Sequence, residues 1–248
     1  SMQTYGCFGE KAFVIILWLH LFDFTNSLPM YYPLCLNGVD VHPLFGSFLK
    51  GRPFIFDFSS NNPKTLDYPL TDFHQFNQMI FDELKDASRN WGIGKYLEER
   101  KSLLRDYSNI IEEERYYHLG LDIIVPYNIP MFSPLDAEVY KTGKETALGN
   151  YGGYIILKHD MDGVVFYSLY GHLKTPHLVH VGEKIKAGQK FAHIGQESDS
   201  GGWFCHVHLQ ILTQKAIDEG LMVWGYISPA LLPKVETLFP SPYFLFNY

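Results

Sequence analysis

His118-Leu119-Gly120-Leu121-Asp122-Ile123 places a histidine and an aspartate four positions apart. Ile124-Val125-Pro126 continues it, a β-branched run closed by proline, which predicts a strand. On a strand, positions i and i+4 share a face, as do i and i+2. His118 and Asp122 therefore point one way. In the distant Cys205-His206-Val207-His208-Leu209, His206 and His208 point together. Histidine and aspartate are good zinc ligands, and three protein ligands with an open fourth position is the usual form of a catalytic zinc site. One metal could sit between the two strands. Cys205 and Val207 fall on the opposite side of their strand, facing the core, so Cys205 reads as packing and not as a nucleophile.

Around these stretches, from Tyr116 onward, the texture is short strands and tight turns. Strands are expected at 121–125, 138–141, 154–159, 164–170, 190–194 and 206–212. Turn clusters such as Gly149-Asn150-Tyr151-Gly152-Gly153 and Asp160-Met161-Asp162-Gly163 separate them, which predicts an antiparallel sheet with hairpins. The apolar tail Phe239-Pro240-Ser241-Pro242-Tyr243-Phe244-Leu245-Phe246 should pack on the body.

Upstream, residues 28–70 are rich in Pro, Gly, Asn and aromatics, with a short strand expected at 52–58. Thr71 or Asp72 would cap a helix with apolar positions Phe73, Phe76, Ile80 and Leu84. After Asn90-Trp91-Gly92-Ile93-Gly94, a second amphipathic helix is expected, with apolar positions Tyr96, Leu97, Leu103, Leu104, Tyr107 and Ile111. Glu112-Glu113-Glu114 reads as its solvated end, with a carboxylate near a metal as the other reading. Residues 1–115 are thus expected to be a mixed, partly helical extension packed on a second body, 116–248. Within it, residues 12–22 are too short to span a membrane. They read as a buried element, which fits a cytoplasmic protein, or as a signal-peptide core, which fits a secreted or envelope one. Ser1-Met2 reads as a tag remnant.

The formal charge is −7, so no basic patch is implied, which argues against nucleic acid as a partner. Three cysteines without C-x-x-C spacing leave one unpaired in any disulfide scheme.

The ordered motifs from Tyr116 to Leu212 resemble the lysostaphin and LytM type of zinc metallopeptidase, a peptidoglycan endopeptidase family. His118-x-Gly120-x-Asp122-Ile123 followed by Pro126 matches the family's first metal motif. Phe132-Ser133-Pro134-Leu135-Asp136-Ala137-Glu138-Val139, Tyr154-Ile155-Ile156-Leu157-Lys158-His159, Ser168-Leu169-Tyr170-Gly171-His172-Leu173 and Val181-Gly182-Glu183-Lys184-Ile185-Lys186-Ala187-Gly188-Gln189 resemble its next segments in order. His206-x-His208 closes the pattern. The resemblance implies an α+β fold with an antiparallel sheet core, and one zinc held by His118, Asp122 and His208. It implies His172 and His206 as the catalytic pair, and hydrolysis of peptide bonds in peptidoglycan stem peptides or cross-bridges. The chain has no H-E-x-x-H, so histidine is the remaining side chain suited to moving a proton at neutral pH.

Three departures bear on substrate choice: Gln210 where the family's H-x-H-F-E has glutamate, the loop Asp199-Ser200-Gly201-Gly202-Trp203-Phe204, and Gly153 in place of a common asparagine. A peptidase acting on a non-cell-wall peptide, and a non-hydrolytic binding module, are the alternatives. The intact histidine and aspartate set speaks against the second. His20, His42, His74, His159, His177, His180 and His193 have no spacing that fixes a role and read as surface or core residues. Gly120 reads as allowing close strand approach. Tyr170 reads either as core or as a hydrogen-bond donor into the site.

Overall fold

A computed structural model describes residues 30–248. The expectation for residues 12–22, and His20 with it, lies outside the described residues. Twelve strands are present among the described residues: β1 (Phe54–Ile55), β2 (Gly92–Gly94), β3 (Tyr117–His118), β4 (Leu121–Ile124), β5 (Pro130–Phe132), β6 (Ala137–Lys144), β7 (Gly153–Met161), β8 (Val164–Gly171), β9 (Lys184–Ile185), β10 (Lys190–His193), β11 (Val207–Thr213) and β12 (Tyr226–Ile227). Eight of them form one sheet in the order β1-β2-β4-β11-β8-β7-β6-β9, and the pairs β10-β5 and β12-β3 stand beside it. Every pairing is antiparallel except β1 with β2.

Strand alternation divides the sheet into two faces. Leu121 and Ile123 of β4, with Val207, Leu209 and Ile211 of β11, point into the largest apolar cluster, and Cys205 joins them. Residues of opposite parity point the other way, where two smaller clusters lie. Ile124 meets Phe56, Phe58, Phe76 and Phe204 in one. Leu119, Ile156, Leu169 and Leu212 build the other. Asp122 and His208 share this parity.

The helix α1 (Phe73–Asp86) forms as its periodicity predicts, burying Phe76, Ile80 and Leu84. Asp72 is the cap, its carboxylate accepting from Gln75 N at 3.0 Å, which satisfies one of the free amides of the first turn. The tail packs as expected: Phe239 and Leu245 are buried, and Tyr248 meets the Trp91 ring edge-on.

The second amphipathic helix does not form. Residues 95–107 run as turns, and only a short helix, α2 (Ser108–Glu112), follows. The physical reason is that the apolar positions do not make one stripe: Tyr96 and Leu97 pack in one cluster while Leu103, Leu104 and Tyr107 pack in another. The backbone is also committed elsewhere. Leu97 N donates to His118 O at 2.7 Å and Arg100 N to Tyr116 O at 2.8 Å, so the segment is tied to β3 instead of coiling on itself. Glu112, Glu113 and Glu114 are exposed. β1 and β2, from the region upstream of Tyr116, extend the main sheet by pairing β2 on β4.

Candidate active site

The register of β11 delivers the site. His208 stands across from Asp122 of β4 on one side and Gly171 of β8 on the other. His206 directly precedes β11 and His172 directly follows β8, so both reach the same end of the sheet. His118, in β3, is held against β12 opposite Tyr226. Every one of the five side chains is buried. His172 sits at φ +63°, a left-handed conformation that costs a non-glycine residue roughly 1–3 kcal/mol. It is held there by its own N donating to Tyr151 O at 2.7 Å and its carbonyl accepting from Gly195 N at 2.9 Å.

His118 Nε2, Asp122 Oδ1 and His208 Nδ1 converge, with separations of 3.2 Å, 3.3 Å and 3.0 Å around the triangle. Four ligands about 2.0–2.1 Å from a tetrahedral zinc stand about 3.3–3.4 Å apart, so the triangle is close to metal-binding dimensions. Hydrogen bonding fixes which ring atoms face inward. His118 Nδ1 donates to Lys95 O at 2.9 Å, leaving Nε2 a bare lone pair. His208 Nε2 donates to Gln210 Oε1 at 2.9 Å, leaving Nδ1 bare. Gln210 is held in that orientation because its amide nitrogen donates to Trp224 O and its Oε1 also accepts from Tyr151 Oη. Two lone pairs thus face each other at 3.0 Å beside Asp122 Oδ1, a buried carboxylate oxygen with no hydrogen-bond donor. A buried acceptor left so costs several kcal/mol, and a cation satisfies all three atoms at once.

The other two histidines are oriented in the same way. His172 Nδ1 donates to Ser200 O and His206 Nδ1 to Phe204 O, each at 2.8 Å, so both Nε2 atoms are free. The two rings lie 4.3 Å apart, and His206 Nε2 is 3.5 Å from Asp122 Oδ1. Burial pushes His118 down to about 3, helped by the Arg100 cation, and pushes His206 down to about 4. It holds His172 well below the ordinary imidazole range, with the neighbouring histidines adding to the effect. Burial opposes ionisation of Asp122, but its partners His118 and the Arg100 cation outweigh it and hold the carboxyl well below the usual range. An ionised aspartate among neutral imidazoles is the protonation state a metal ligand set needs.

The site opens into a cavity of about 220 Å³. Leu103, Ile110, Arg115, Trp203, Trp224 and Tyr226 are among the residues that line it. Two of the three departures noted in the sequence fall here: the 199–204 loop supplies Trp203 and Phe204 to the wall, and Gln210 orients His208.

Residues 116–219 match the model of peptidase family M23. Among curated proteins, the lipoprotein NlpD of Yersinia enterocolitica is 41% identical over 71 residues, covering 29% of this chain and 67% of NlpD. The uncharacterized lipoprotein YgeR of Escherichia coli K12 is 33% identical over 92 residues, covering 37% of this chain and 33% of YgeR, so the chain spans a third of that relative's length. A zinc-containing peptidase from Vibrio cholerae is similar at 30% identity with a TM-score of 0.34, over 39% of this chain and 27% of that one. The catalytic domain of lysostaphin from Staphylococcus simulans is similar at 25% identity with a TM-score of 0.34, over 39% of this chain and 68% of that one. The chain belongs to peptidase family M23, whose members are typically zinc-dependent peptidoglycan hydrolases.

Other expectations resolve locally. Gly120 is required by the site itself: a Cβ there would lie 2.4 Å from Cε1 of the His208 ring. Tyr170 is core, stacked edge-on against Phe191. His159 is a buried core histidine, while His74 and His180 are exposed. Arg100, which bonds Asp122, and Glu98 are not among the residues the sequence predicts for the site, because the spacing at 96–111 reads as a helix. A buried charged pair there would have shown only as an Arg and a Glu two apart, a pattern common on any surface.

Proposed function

We propose that the protein is a zinc-dependent endopeptidase that hydrolyses peptide bonds in peptidoglycan stem peptides or cross-bridges. The observation that carries it is the triangle of inward-facing ligand atoms with the donorless Asp122 Oδ1, flanked by two free imidazole nitrogens. One zinc, held by His118, Asp122 and His208, would polarise the scissile carbonyl and acidify the attacking water. His206 and His172 keep Nε2 as the acceptor because their Nδ1 protons are given to backbone carbonyls. The proton leaves the attacking water for one of those two atoms and is returned to the leaving amine nitrogen. Burial of both rings keeps them neutral at physiological pH.

The cell envelope is the proposed place of action, in keeping with the lipoprotein names of NlpD and YgeR. Residues 116–248 form the proposed catalytic body, and 1–115 the proposed extension that narrows substrate choice. Leu103, Ile110 and Arg115 on the cavity wall support that division. Zinc-loaded protein incubated with purified peptidoglycan should release new amino termini, and the His206→Ala protein should not. Cleavage of an unrelated peptide with no release from peptidoglycan would exclude the substrate. No cleavage of either would exclude the activity. Leu103→Ala with Ile110→Ala should broaden the range of peptides cut, and an unchanged range would remove the extension from substrate choice.

A further inference from the structure

The residues at 94–100 lie outside the family match and on neither ligand strand, yet they touch two of the three ligands. Lys95 O accepts from His118 Nδ1 at 2.9 Å. Arg100 Nη1 donates to Asp122 Oδ2 at 2.7 Å, and Arg100 Nε donates to Glu98 Oε2 at 3.0 Å. Glu98 Oε1 accepts from Phe58 N at 3.2 Å and pairs with Lys95 Nζ at 3.0 Å. Arg100 is 2% exposed and Glu98 6%, so this is a buried charge network and not a surface pair.

Two physical arguments give the network a task. A free carboxylate can bind a cation through one oxygen or both, and the guanidinium occupies Oδ2. The other oxygen, Oδ1, is the one without a donor, and it is the one that faces the two imidazoles. A guanidinium beside a ligand would repel a dication, and Glu98 answers this: its buried carboxylate pairs with the buried guanidinium, so the two charges offset each other beside Asp122. The backbone is built for the contact as well. A side chain at Gly94 would place its Cβ 2.8 Å from Arg100 Nη2 and 3.1 Å from Asp122 Oδ2. The segment is pinned by Leu97 N to His118 O at 2.7 Å and His118 N to Glu98 O at 3.0 Å, so Arg100 and the ligand strand move as one piece.

We propose that Arg100, charge-balanced by Glu98, is a positioning residue of the metal centre. It holds Asp122 Oδ2 so that Oδ1 alone meets the cation. The region upstream of the family match is therefore part of the metal site and not only a neighbour of it. This rests on the reading of His118, Asp122 and His208 as zinc ligands. Partners that orient metal ligands in this way typically contribute 10–100-fold in affinity.

The test uses the full chain. Zinc affinity is measured by chelator competition, and the visible spectrum of the cobalt(II)-substituted protein reports coordination number. Arg100→Met should bind zinc about 10–100-fold more weakly. Its cobalt bands should weaken as Asp122 turns to offer both oxygens. Arg100→Lys, which restores a donor without the guanidinium fork, should recover part of both. Because Arg100→Met leaves Glu98 buried without its partner, the double variant Glu98→Gln, Arg100→Met is the second arm. Removing both charges together is tolerated far better than removing one. It should fold and still bind zinc weakly, since Oδ2 remains unheld. A folded double variant with wild-type zinc affinity and an unchanged cobalt spectrum would overturn the proposal. So would loss of fold in both variants, which would make the role purely structural. Wild-type protein that takes up no zinc would instead overturn the ligand reading beneath it.

Discussion

Two clusters of buried polar side chains lie on the main sheet, and they differ in one respect. In the first, His159 of β7 uses both ring nitrogens: Nδ1 bonds Asp136 O at 3.1 Å and Nε2 meets Ser168 Oγ of β8 at 2.7 Å. In the second, His118, Asp122 and His208 turn their remaining lone pairs on one another, and Asp122 Oδ1 has no donor at all. Burial depresses one histidine in each, His159 to about 4 and His118 to about 3. A depressed histidine therefore does not distinguish a structural group from a ligand. The direction of the unsatisfied lone pairs does, because a closed hydrogen-bond set is complete and an open, convergent one requires a cation.

The largest effect that would break this contrast concerns metal. The Asp122→Ala, His208→Ala protein should retain no zinc by metal analysis, whereas full retention would place the ion elsewhere. Next come the free imidazoles. His172→Ala or His206→Ala should lower turnover by about 10²–10⁴-fold while zinc stays bound, because neither supplies a ligand atom in this assignment. Turnover equal to wild type in both would remove the proton-transfer roles. Gly120→Ala sharpens the contrast without replacing a ligand. Its Cβ would strike the His208 imidazole, so zinc affinity should fall by roughly tenfold while the thermal midpoint moves little. Unchanged affinity would mean that the ring can give way.

The last test falls on His159, outside the site. In the unfolded chain it takes a proton near pH 6.5, but in the folded protein only near 4. The unfolded state thus binds more protons between those values, and stability falls as pH drops through that window, by roughly 3 kcal/mol from this residue. His159→Gln keeps a neutral hydrogen-bonding side chain and removes the titration. Its unfolding free energy, measured in urea at pH 7 and pH 4, should drop by that much less than wild type, with zinc affinity unchanged. Identical drops would assign the acid sensitivity to other groups.

How much of this was legible in the sequence depended on whether local spacing or distant pairing carried the information. The strands of β4, β7, β8 and β11 follow from alternation, and His206 and His208 share a face for the same reason. α1 follows from the spacing of Phe76, Ile80 and Leu84 and its Asp72 cap. The failure at 95–107 has a cause in packing: its apolar residues serve two clusters, and helical spacing arises there by coincidence. Arg100 was invisible for a related reason. Its partner Asp122 is fixed by tertiary register, and nothing local to Gly94-Lys95-Tyr96-Leu97-Glu98-Glu99-Arg100 says that an arginine there is buried. Gly120 was read as permitting close approach, but the approaching group, the His208 ring, comes from a strand far along the chain.

Among the described residues, the main sheet ends on β1 at one side and β9 at the other, and each is two residues long. An edge that short offers a second extended chain almost no backbone ladder to continue. Fibril-like stacking through these edges is accordingly disfavoured. Neither of these two-residue strands can grip a peptide by a backbone ladder, which leaves side chains around the cavity mouth to read its sequence.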